Sequence, residues 1–203
     1  MSVVVRGKRG HVRPDSLHVL RGNDTRRRIL EAARRRILAA GFEALHLDDL
    51  ARDAGVTKAA VIKSIGGKAT ILLALGEQDR ATRLEVLHSA VPLRSGLKRR
   101  LTDVVRRLYE LDVPRLKLVQ AYIGYLWFWA DEDHDKVQAH IDGTREVLGD
   151  LIRSAVGPGE APGRVRTLAL RAMAGYVVGL RDLYYGRSNV DEATQLVVDF
   201  VVV

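Results

Sequence analysis

Residues 57–68 carry hydroxyl and ammonium groups at a spacing suited to binding phosphate. Thr57 stands before a short segment of helical character, and Lys58, Lys63 and Lys68 follow it. A threonine at such a position caps a helix and can also bond a phosphate, while lysines neutralise phosphate charge. Contacts of this kind give affinity and salt dependence rather than a choice of base sequence. The pattern therefore indicates a polyanionic partner.

Two short helices joined by a tight turn would position these groups. The segment LDDLARDAGVTKAAVIKSIGGK predicts a helix over about 47–53, a turn at Gly55, and a second helix from after Thr57 to about Ser64. Ala51 is small enough for the helices to approach, and glycine tolerates the turn conformation. Four apolar side chains would pin the pair onto a preceding helix: Leu47, Leu50, Val56 and Val61. Such a helix-turn-helix places its second helix in the major groove of DNA.

The positive charge of the chain is concentrated around this motif. Residues 1–68 contain 15 Lys/Arg and 7 Asp/Glu, whereas residues 69–203 contain 18 of each. The first third therefore holds the whole net charge of +8. A basic region is the electrostatic footprint of a nucleic-acid partner, and a merely solubilising surface would not need this asymmetry.

The composition narrows the remaining classes of protein. The 203 residues are 47% hydrophobic and include no cysteine, which excludes disulfides and thiolate metal sites and favours a reducing cytoplasm. No apolar run reaches the roughly 20 residues of a membrane span, and we expect no export signal. We therefore expect a cytoplasmic globular protein.

Apolar residues recur at helical spacing and no convincing sheet pattern occurs, so we predict an all-α protein of about nine helices. Asn23 or Asp24 is the expected cap of the first helix, Asp112 followed by Pro114 marks the start of the sixth, and Asn189 is one possible cap of the last. The terminal VVDFVVV is β-branched enough to be a strand instead. The predicted helices lie at about 23–40, 47–53, 58–64, 68–89, 95–111, 112–130, 133–156, 164–187 and from about 191 onward.

A set of positions between residues 25 and 75 has a characteristic order and spacing: Ile29, Leu30, Ala32, Ala33, Gly41, Phe42, Asp49, Leu50, Ala51, Ala54, Gly55, Val56, Thr57, Lys58 and Lys68. This quarter of the chain resembles the N-terminal domain of the tetracycline-repressor (TetR) family of bacterial transcription regulators. The resemblance implies a three-helix DNA-binding domain followed by a helical domain for ligand binding and dimerisation. It also implies a homodimer that leaves a near-palindromic operator when a small molecule binds.

The resemblance divides the chain into three parts. Residues 1–22 are basic and interrupted by glycine and proline, and we expect a mobile arm, which either enters the minor groove of DNA or has no role. Residues 23–68 form the expected DNA-binding domain, with the motif at about 46–65. Residues 69–203 form the expected ligand-binding and dimerisation domain.

The second helix of the motif departs from the family pattern. Where relatives often carry an aromatic residue that contacts the DNA backbone, this chain has Ile62, and the hydroxyl common at position 60 is lost. His46 replaces the usual Ser or Thr cap. We therefore expect affinity to depend on phosphate contacts and on the arm. The expected DNA-binding residues are Arg28, Thr57, Lys58, Ala59, Ala60, Ile62, Lys63, Ser64 and Lys68.

Aromatic residues are dense between positions 116 and 130. Tyr122, Tyr125 and Trp129 fall on one helix face, and Tyr109, Met173, Tyr176 and Tyr184 are candidates to meet them. Such a set suits an apolar or aromatic ligand, although core packing is the commoner use of such a stripe. The expected ligand-binding residues are Tyr109, Tyr122, Tyr125, Trp129, Met173 and Tyr176.

Other chemistry finds little support in the sequence. The acidic run 131–135 favours a helix start more than a metal site, and His134 and His140 do not share a helix face as i, i+4 ligands would. The GGK at 66–68 lacks the rest of a phosphate-binding loop. We expect no catalytic set, no metal and no cofactor.

Helices 164–187 and 191–203 are the expected dimer interface. Small and apolar residues at helical spacing would allow close helix approach between copies, or else packing within one chain: Leu168, Ala172, Gly175, Gly179 and Leu183. The leading hypothesis for function is a ligand-responsive repressor. The alternative is a ligand-binding or interaction protein on the same fold with weakened or lost DNA recognition.

Overall fold

The computed structural model describes residues 14–89, 95–125, 128, 131–157 and 159–202, and for residues 14–21 and 131–132 it describes the backbone alone. All regular elements in these ranges are helices, which confirms the all-α class. The α-helices are α1 (Pro14–Ala40), α2 (Leu47–Ala54), α3 (Lys58–Ser64), α4 (Lys68–His88), α5 (Leu97–Asp112), α6 (Leu116–Gly124), α7 (Asp131–Val156), α8 (Pro162–Tyr184) and α9 (Val190–Val202).

Helix α1 begins nine residues before the predicted start. It starts at Pro14, so Asn23 and Asp24 lie inside the helix and do not cap it. Proline is well tolerated in the first turn of a helix because its missing N–H has no partner there in any case. Asp24 instead pairs with Arg27, at 2.7 Å, on the same helix. Residues 14–22, expected to be part of a mobile arm, therefore belong to α1. Residues 1–13 lie outside the described part of the chain, and the role of the arm stays a prediction.

The segment predicted as one helix over 112–130 is interrupted. Asp112 is the last residue of α5, and a short 3-10 helix over Val113–Arg115 leads into α6. Pro114 lacks the N–H that would continue the α5 ladder, which explains the change of helix type. Helix α6 then ends at Gly124 rather than at Ala130, which is not described.

The C-terminal segment is a helix and not a strand. Asn189 Oδ1 accepts a hydrogen bond from the N–H of Glu192 at 3.0 Å, and Glu192 accepts one from the N–H of Asn189 at 3.0 Å. This reciprocal pair is a capping box, and it starts α9 at the expected cap. Buried Val197, Val198 and Val201 then give α9 a core-facing side, which outweighs the β-propensity of valine.

Two apolar clusters hold the helices together. The first centres on Ile29, Ile37, Leu50, Val61 and Leu72, and joins α1, α2 and α3 to the start of α4. Leu118 and Ala121 of α6 and Val137 of α7 extend this first cluster. The second joins α5, α7, α8 and α9 around fully buried residues such as Leu101, Val104, Tyr109, Ile152 and Val197. Helices α4 and α6 therefore connect the helix-turn-helix to the C-terminal bundle.

No single helix in the described ranges is long and apolar enough to cross a membrane. Taken together, α3 and α4 have the length and apolar composition of a membrane span, but the two helices are bent by 55° where they meet.

Candidate nucleic-acid interface and ligand cavity

The turn between α2 and α3 has the geometry that the sequence predicts. Gly55 has a φ of +64°, a left-handed conformation that other residues resist. Its N–H donates to the carbonyl of Arg52 at 3.2 Å, and the N–H of Val56 donates to Ala51 at 2.9 Å. Arg28 crosses from α1 and donates to the carbonyl of Ala54 at 3.1 Å. These bonds satisfy the end of α2 and fix the direction in which α3 leaves.

Thr57 is the N-cap of α3, as predicted. Its hydroxyl oxygen accepts a hydrogen bond from the N–H of Ala60 at 3.1 Å, and Val61 is fully buried one turn further on. Arg26 of α1 donates to the carbonyl of Ser64 at 3.1 Å and satisfies the other end of the helix. His46, by contrast, makes no side-chain cap bond to α2, so the missing Ser or Thr is not replaced.

The outward face of α3 is short of polar groups. Ala59, Ile62 and Lys63 are exposed, with 51% of the Ile62 surface accessible. Lys63 has no ion pair with another described residue, so its ammonium is available to a phosphate. Among the residues that the structure describes, this face therefore offers one cation without an ion pair, Lys63, and an apolar surface to a partner.

Three of the expected DNA-binding cations are engaged within the protein. Arg28 holds the turn and also lies 3.2 Å from Asp24. Lys58 is 2.9 Å from Asp48, in a pair exposed to solvent. Lys68 donates to the carbonyl of Glu43 at 3.3 Å and sits over an aromatic ring of the first cluster. Exposed pairs are weak, so Lys58 remains able to exchange Asp48 for a phosphate.

A cavity of about 170 Å³ lies between α4, α5, α6, α7 and α8. Three of the expected ligand-binding residues, Tyr122, Met173 and Tyr176, line it. Gly76 of α4 allows the ring of Tyr122 to approach, because a Cβ there would lie 2.3 Å from Tyr122 Cε2. Apolar side chains make most of the remaining wall: Leu87, Val105, Leu108, Leu118, Leu148 and Leu180.

Two other expected ligand-binding residues lie outside the cavity wall. Tyr109 is fully buried behind Tyr176, with the ring centroids 4.4 Å apart, and donates its hydroxyl hydrogen to the carbonyl of Tyr176. Tyr125 packs edge-on against Phe42 at 5.4 Å, in the first apolar cluster. Trp129 lies outside the described residues. Stacking and core packing thus account for part of the aromatic stripe.

A chain of ion pairs runs from the cavity to α1. Tyr176 donates its hydroxyl hydrogen to the fully buried carboxylate of Asp112 at 2.7 Å, and Arg83 also binds Asp112. Arg115 bridges the two acids, 3.2 Å from each of Asp112 and Asp79. Asp79 then binds Arg34 of α1 at 2.8 Å. Asp79 and Arg83 both line the cavity, so its wall is joined directly to the helix that supports the helix-turn-helix.

Burial keeps the other polar groups of the wall uncharged. Loss of solvation raises the pKa of Tyr122 to about 12 and raises that of Tyr176 well above its ordinary value. It lowers the pKa of His140, and the neighbouring Glu77 carboxylate only partly opposes this effect. At neutral pH the wall therefore presents two phenols and a neutral imidazole.

The comparisons with known proteins agree with this geometry. Residues 29–75 match the model of the tetR family of bacterial regulatory proteins. The chain belongs to the TetR family. It is also 28% identical over 179 residues to the HTH-type transcriptional regulator SrpR of Pseudomonas putida, across 86% of this chain and 80% of that protein. The chain is thus a TetR-family transcriptional regulator with a helix-turn-helix DNA-binding domain.

Solved TetR structures share the fold over most of the chain. A tetR-family regulator from Streptomyces coelicolor superposes with a TM-score of 0.69 at 20% identity, covering 88% of this chain and 79% of that one. NalD of Pseudomonas aeruginosa, the secondary repressor of the MexAB-OprM multidrug efflux pump, gives 0.61 at 22% identity, covering 89% and 95%. TetR-family regulators bind operator DNA, dimerise and bind small molecules.

The sequence alone did not identify several residues that line or support this TetR cavity. Asp79 and Arg83 are four apart on α4, a spacing that places them on one helix face. His140 was weighed only as a metal ligand. Asp112 was taken for a helix start, whereas it is the buried acceptor of Arg83, Arg115 and Tyr176. A carboxylate two residues before a proline carries no local sign of burial, because its partners come from other helices.

The small-residue stripe of α8 packs inside this TetR chain. A Cβ on Gly179 would lie 2.1 Å from Tyr109 Oη, and one on Gly175 would lie 3.4 Å from the backbone of Val197 in α9. Leu168 and Ala172 are buried in the second cluster. The intramolecular alternative is therefore correct for these residues. Other apolar side chains of the last two helices are exposed instead, as is the residue that follows α8, Tyr185: Leu170, Val177, Val178, Tyr184, Leu196, Phe200 and Val202.

Proposed function

We propose that this regulator is a homodimeric repressor that binds a near-palindromic operator and leaves it when a small molecule fills the cavity. The observation that carries the proposal is the helix-turn-helix, which turns the exposed face of α3 away from its own core. Two such helices, related by a two-fold axis, would read successive major grooves.

The proposed DNA contacts are weighted towards phosphate. Lys63 is the leading candidate, because it is exposed and has no ion-pair partner among the described residues. Ala59 and Ile62 would give apolar contact, for example to a thymine methyl group. Supporting contacts are assigned to Arg28, Thr57, Lys58, Ala60, Ser64 and Lys68. In this assignment Arg28 acts mainly by holding the turn.

Release by ligand is supported by the ion pairs between the cavity and α1. Asp79 lines the cavity and binds Arg34 of α1. A ligand that moves Asp79 would therefore also displace α1, the helix that supports the helix-turn-helix. Coupling of this kind requires that the ligand favours one of two arrangements of α4 and α1. A mainly apolar wall supports an apolar or aromatic effector.

The exposed apolar faces of α8 and α9 support a dimer through these helices. Exposed apolar residues recur on α8 at positions 170, 177, 178 and 184, and on α9 at 196 and 200, spacings that place each set on one face. Exposed apolar faces of this kind, on two neighbouring helices, favour an interaction surface. A second copy would bury it in a symmetric contact. We assign the regulator to the cytoplasm, together with the DNA that it is proposed to bind.

An electrophoretic gel-shift titration with the DNA that flanks the gene tests the proposal. The wild-type protein should bind saturably and resist competitor DNA. Lys63→Ala should weaken binding and lower the salt slope by about two units, since each protomer of the dimer loses one phosphate contact. Lys98→Ala, an exposed lysine on α5, is the matched control and should bind as the wild type does.

The same titration distinguishes the proposed repressor from the alternative function. Ile62 and Ala60 motivate the second reading, a ligand-binding protein on this fold without specific DNA recognition. Binding that competitor DNA abolishes would favour that reading and exclude the repressor. Removing residues 1–13, which leaves α1 intact, tests the part of the arm that precedes this helix: an unchanged affinity and salt slope would give residues 1–13 no role in DNA binding.

A further inference from the structure

The charged side chains of the cavity wall are already paired within the protein. Asp79 binds Arg34 and Arg115, and Arg83 binds the buried Asp112. A charged ligand could bind these groups only by displacing a partner, which would leave that partner unpaired away from bulk water. Breaking a buried pair in this way is costly. The wall therefore favours an uncharged ligand.

Two hydroxyl groups of the wall are engaged as well. Tyr176 donates its hydroxyl hydrogen to Asp112 at 2.7 Å, and Thr144 donates to the backbone carbonyl of His140 at 3.0 Å. The donor hydrogens of both hydroxyl groups are therefore already used in hydrogen bonds within the protein.

The imidazole of His140 differs from these groups. Its side chain is 14% exposed, and its Nδ1 atom is buried without a hydrogen-bond partner among the described residues. The nearby Glu77 carboxylate lies 4.0 Å from Nδ1, beyond hydrogen-bond distance. A buried polar atom left in this state is costly, and a ligand hydroxyl that reaches Nδ1 and bonds it would remove the cost. Since the imidazole is neutral, one ring nitrogen donates and the other accepts.

The volume of the cavity indicates the size of the group that it can hold. Its volume of about 170 Å³ is close to that of an apolar cavity of about 150 Å³ that holds one benzene molecule. Tyr122 stands beside His140 with its ring centroid 5.7 Å from the imidazole, so an aromatic surface lies next to the polar atom. A compact ring with one polar substituent matches both features.

We propose that the cavity binds a neutral, mainly apolar molecule of about one aromatic ring, and that a hydroxyl group of this ligand hydrogen-bonds to the imidazole of His140. The inference rests on the proposed function and specifies the effector class of its cavity. A hydroxyl can both donate and accept, so it suits either tautomer of the ring. His140 thereby selects phenol-like molecules over hydrocarbons of the same size.

Phenol and toluene test this selection because they differ in one substituent at nearly constant size. Their dissociation constants are measured by NMR-monitored titration of the full chain. His140→Leu should raise the ratio of the phenol constant to the toluene constant about five-fold, the effect of one hydrogen bond. His140→Gln, which keeps hydrogen-bonding groups, should hold the ratio within about two-fold. His88→Leu, an exposed histidine on α4, is the control and should leave it unchanged.

Charged probes test the second half of the inference. Benzoate and benzylammonium should each bind the wild-type protein at least about ten-fold more weakly than phenol. The inference is overturned if either charged probe binds more tightly than this limit. It is also overturned if the ratio of the phenol to the toluene dissociation constant is unchanged in folded His140→Leu protein. If His140→Leu does not fold, the imidazole resonances of wild-type His140 decide: they should shift with phenol and stay in place with toluene, and equal shifts overturn the inference.

A gel shift on the same wild-type preparation separates this inference from the proposed function. Specific DNA binding by a protein that does not bind phenol rejects the ligand class and leaves the regulator in place. Phenol binding by a protein without specific DNA binding rejects the repressor and supports the ligand class.

Discussion

At the scale of single residues, small side chains decide how closely the helices approach. Gly179 and Gly76 each sit under an aromatic ring, and a Cβ at either position would fall closer than 2.5 Å to the nearest ring or hydroxyl atom. Glycine in a helix loses conformational entropy, so its presence there is favourable only where such a contact requires it. Tyr109 and Tyr122 depend on these two positions for their placement.

Gly179→Ala should destabilise the protein by about 1–3 kcal/mol, because the new methyl group collides with the buried hydroxyl of Tyr109. Gly163→Ala is the matched control on α8: nothing lies within 4 Å of its Cβ position, and alanine is the better helix former. The control should leave stability unchanged or raise it by up to about 1 kcal/mol. Urea unfolding followed by circular dichroism measures both, and equal effects would contradict the packing argument.

At the scale of elements, Asp112 joins the end of α5 to three other segments. It accepts from Arg83 of α4, from Arg115 in the 3-10 helix and from Tyr176 of α8. Each of these partners comes from a different helix, so one carboxylate fixes the packing around the cavity. Its complete burial makes the charge costly unless all of these bonds are formed.

Asp112→Asn should lower the free energy of unfolding by about 3 kcal/mol, since it removes the charge that Arg83 and Arg115 share in the interior. Asp191→Asn provides the control, because the Asp191 side chain is 72% exposed in its pair with Arg106. Exposed pairs contribute little, and the control should change stability by less than about 1 kcal/mol. A small effect of Asp112→Asn in urea unfolding would show that the buried pairs do not hold the helices.

At the scale of the whole molecule, the apolar faces of α8 and α9 lack a partner within the described chain. Val178 and Phe200 are each about half exposed, at 50% and 51%, on neighbouring helices. Val177 is both exposed and part of the cavity wall, so the proposed dimer contact lies next to the ligand. Dimerisation and ligand binding would then share one part of the structure.

Phe200→Asp combined with Val178→Asp should convert the proposed dimer into a monomer, since two buried charges without partners are incompatible with a close apolar interface. Sedimentation velocity measures the change. Ala81→Asp, at an exposed position on α4, is the control and should sediment as the wild type does. A double variant that still sediments as a dimer would move the interface away from this face.

The local sequence was sufficient for the class of fold and for the helix-turn-helix. Gly55, Thr57 and the apolar residues of α1 to α3 specify that motif through turn geometry, capping and helical periodicity, which are short-range effects. The tertiary structure alone decided which aromatic residues line the cavity, that Asp112 is buried, and that the small residues of α8 pack inside the chain. Those outcomes depend on contacts between helices far apart in sequence, such as Arg34 with Asp79 and Tyr109 with Gly179, and no local pattern encodes the partner.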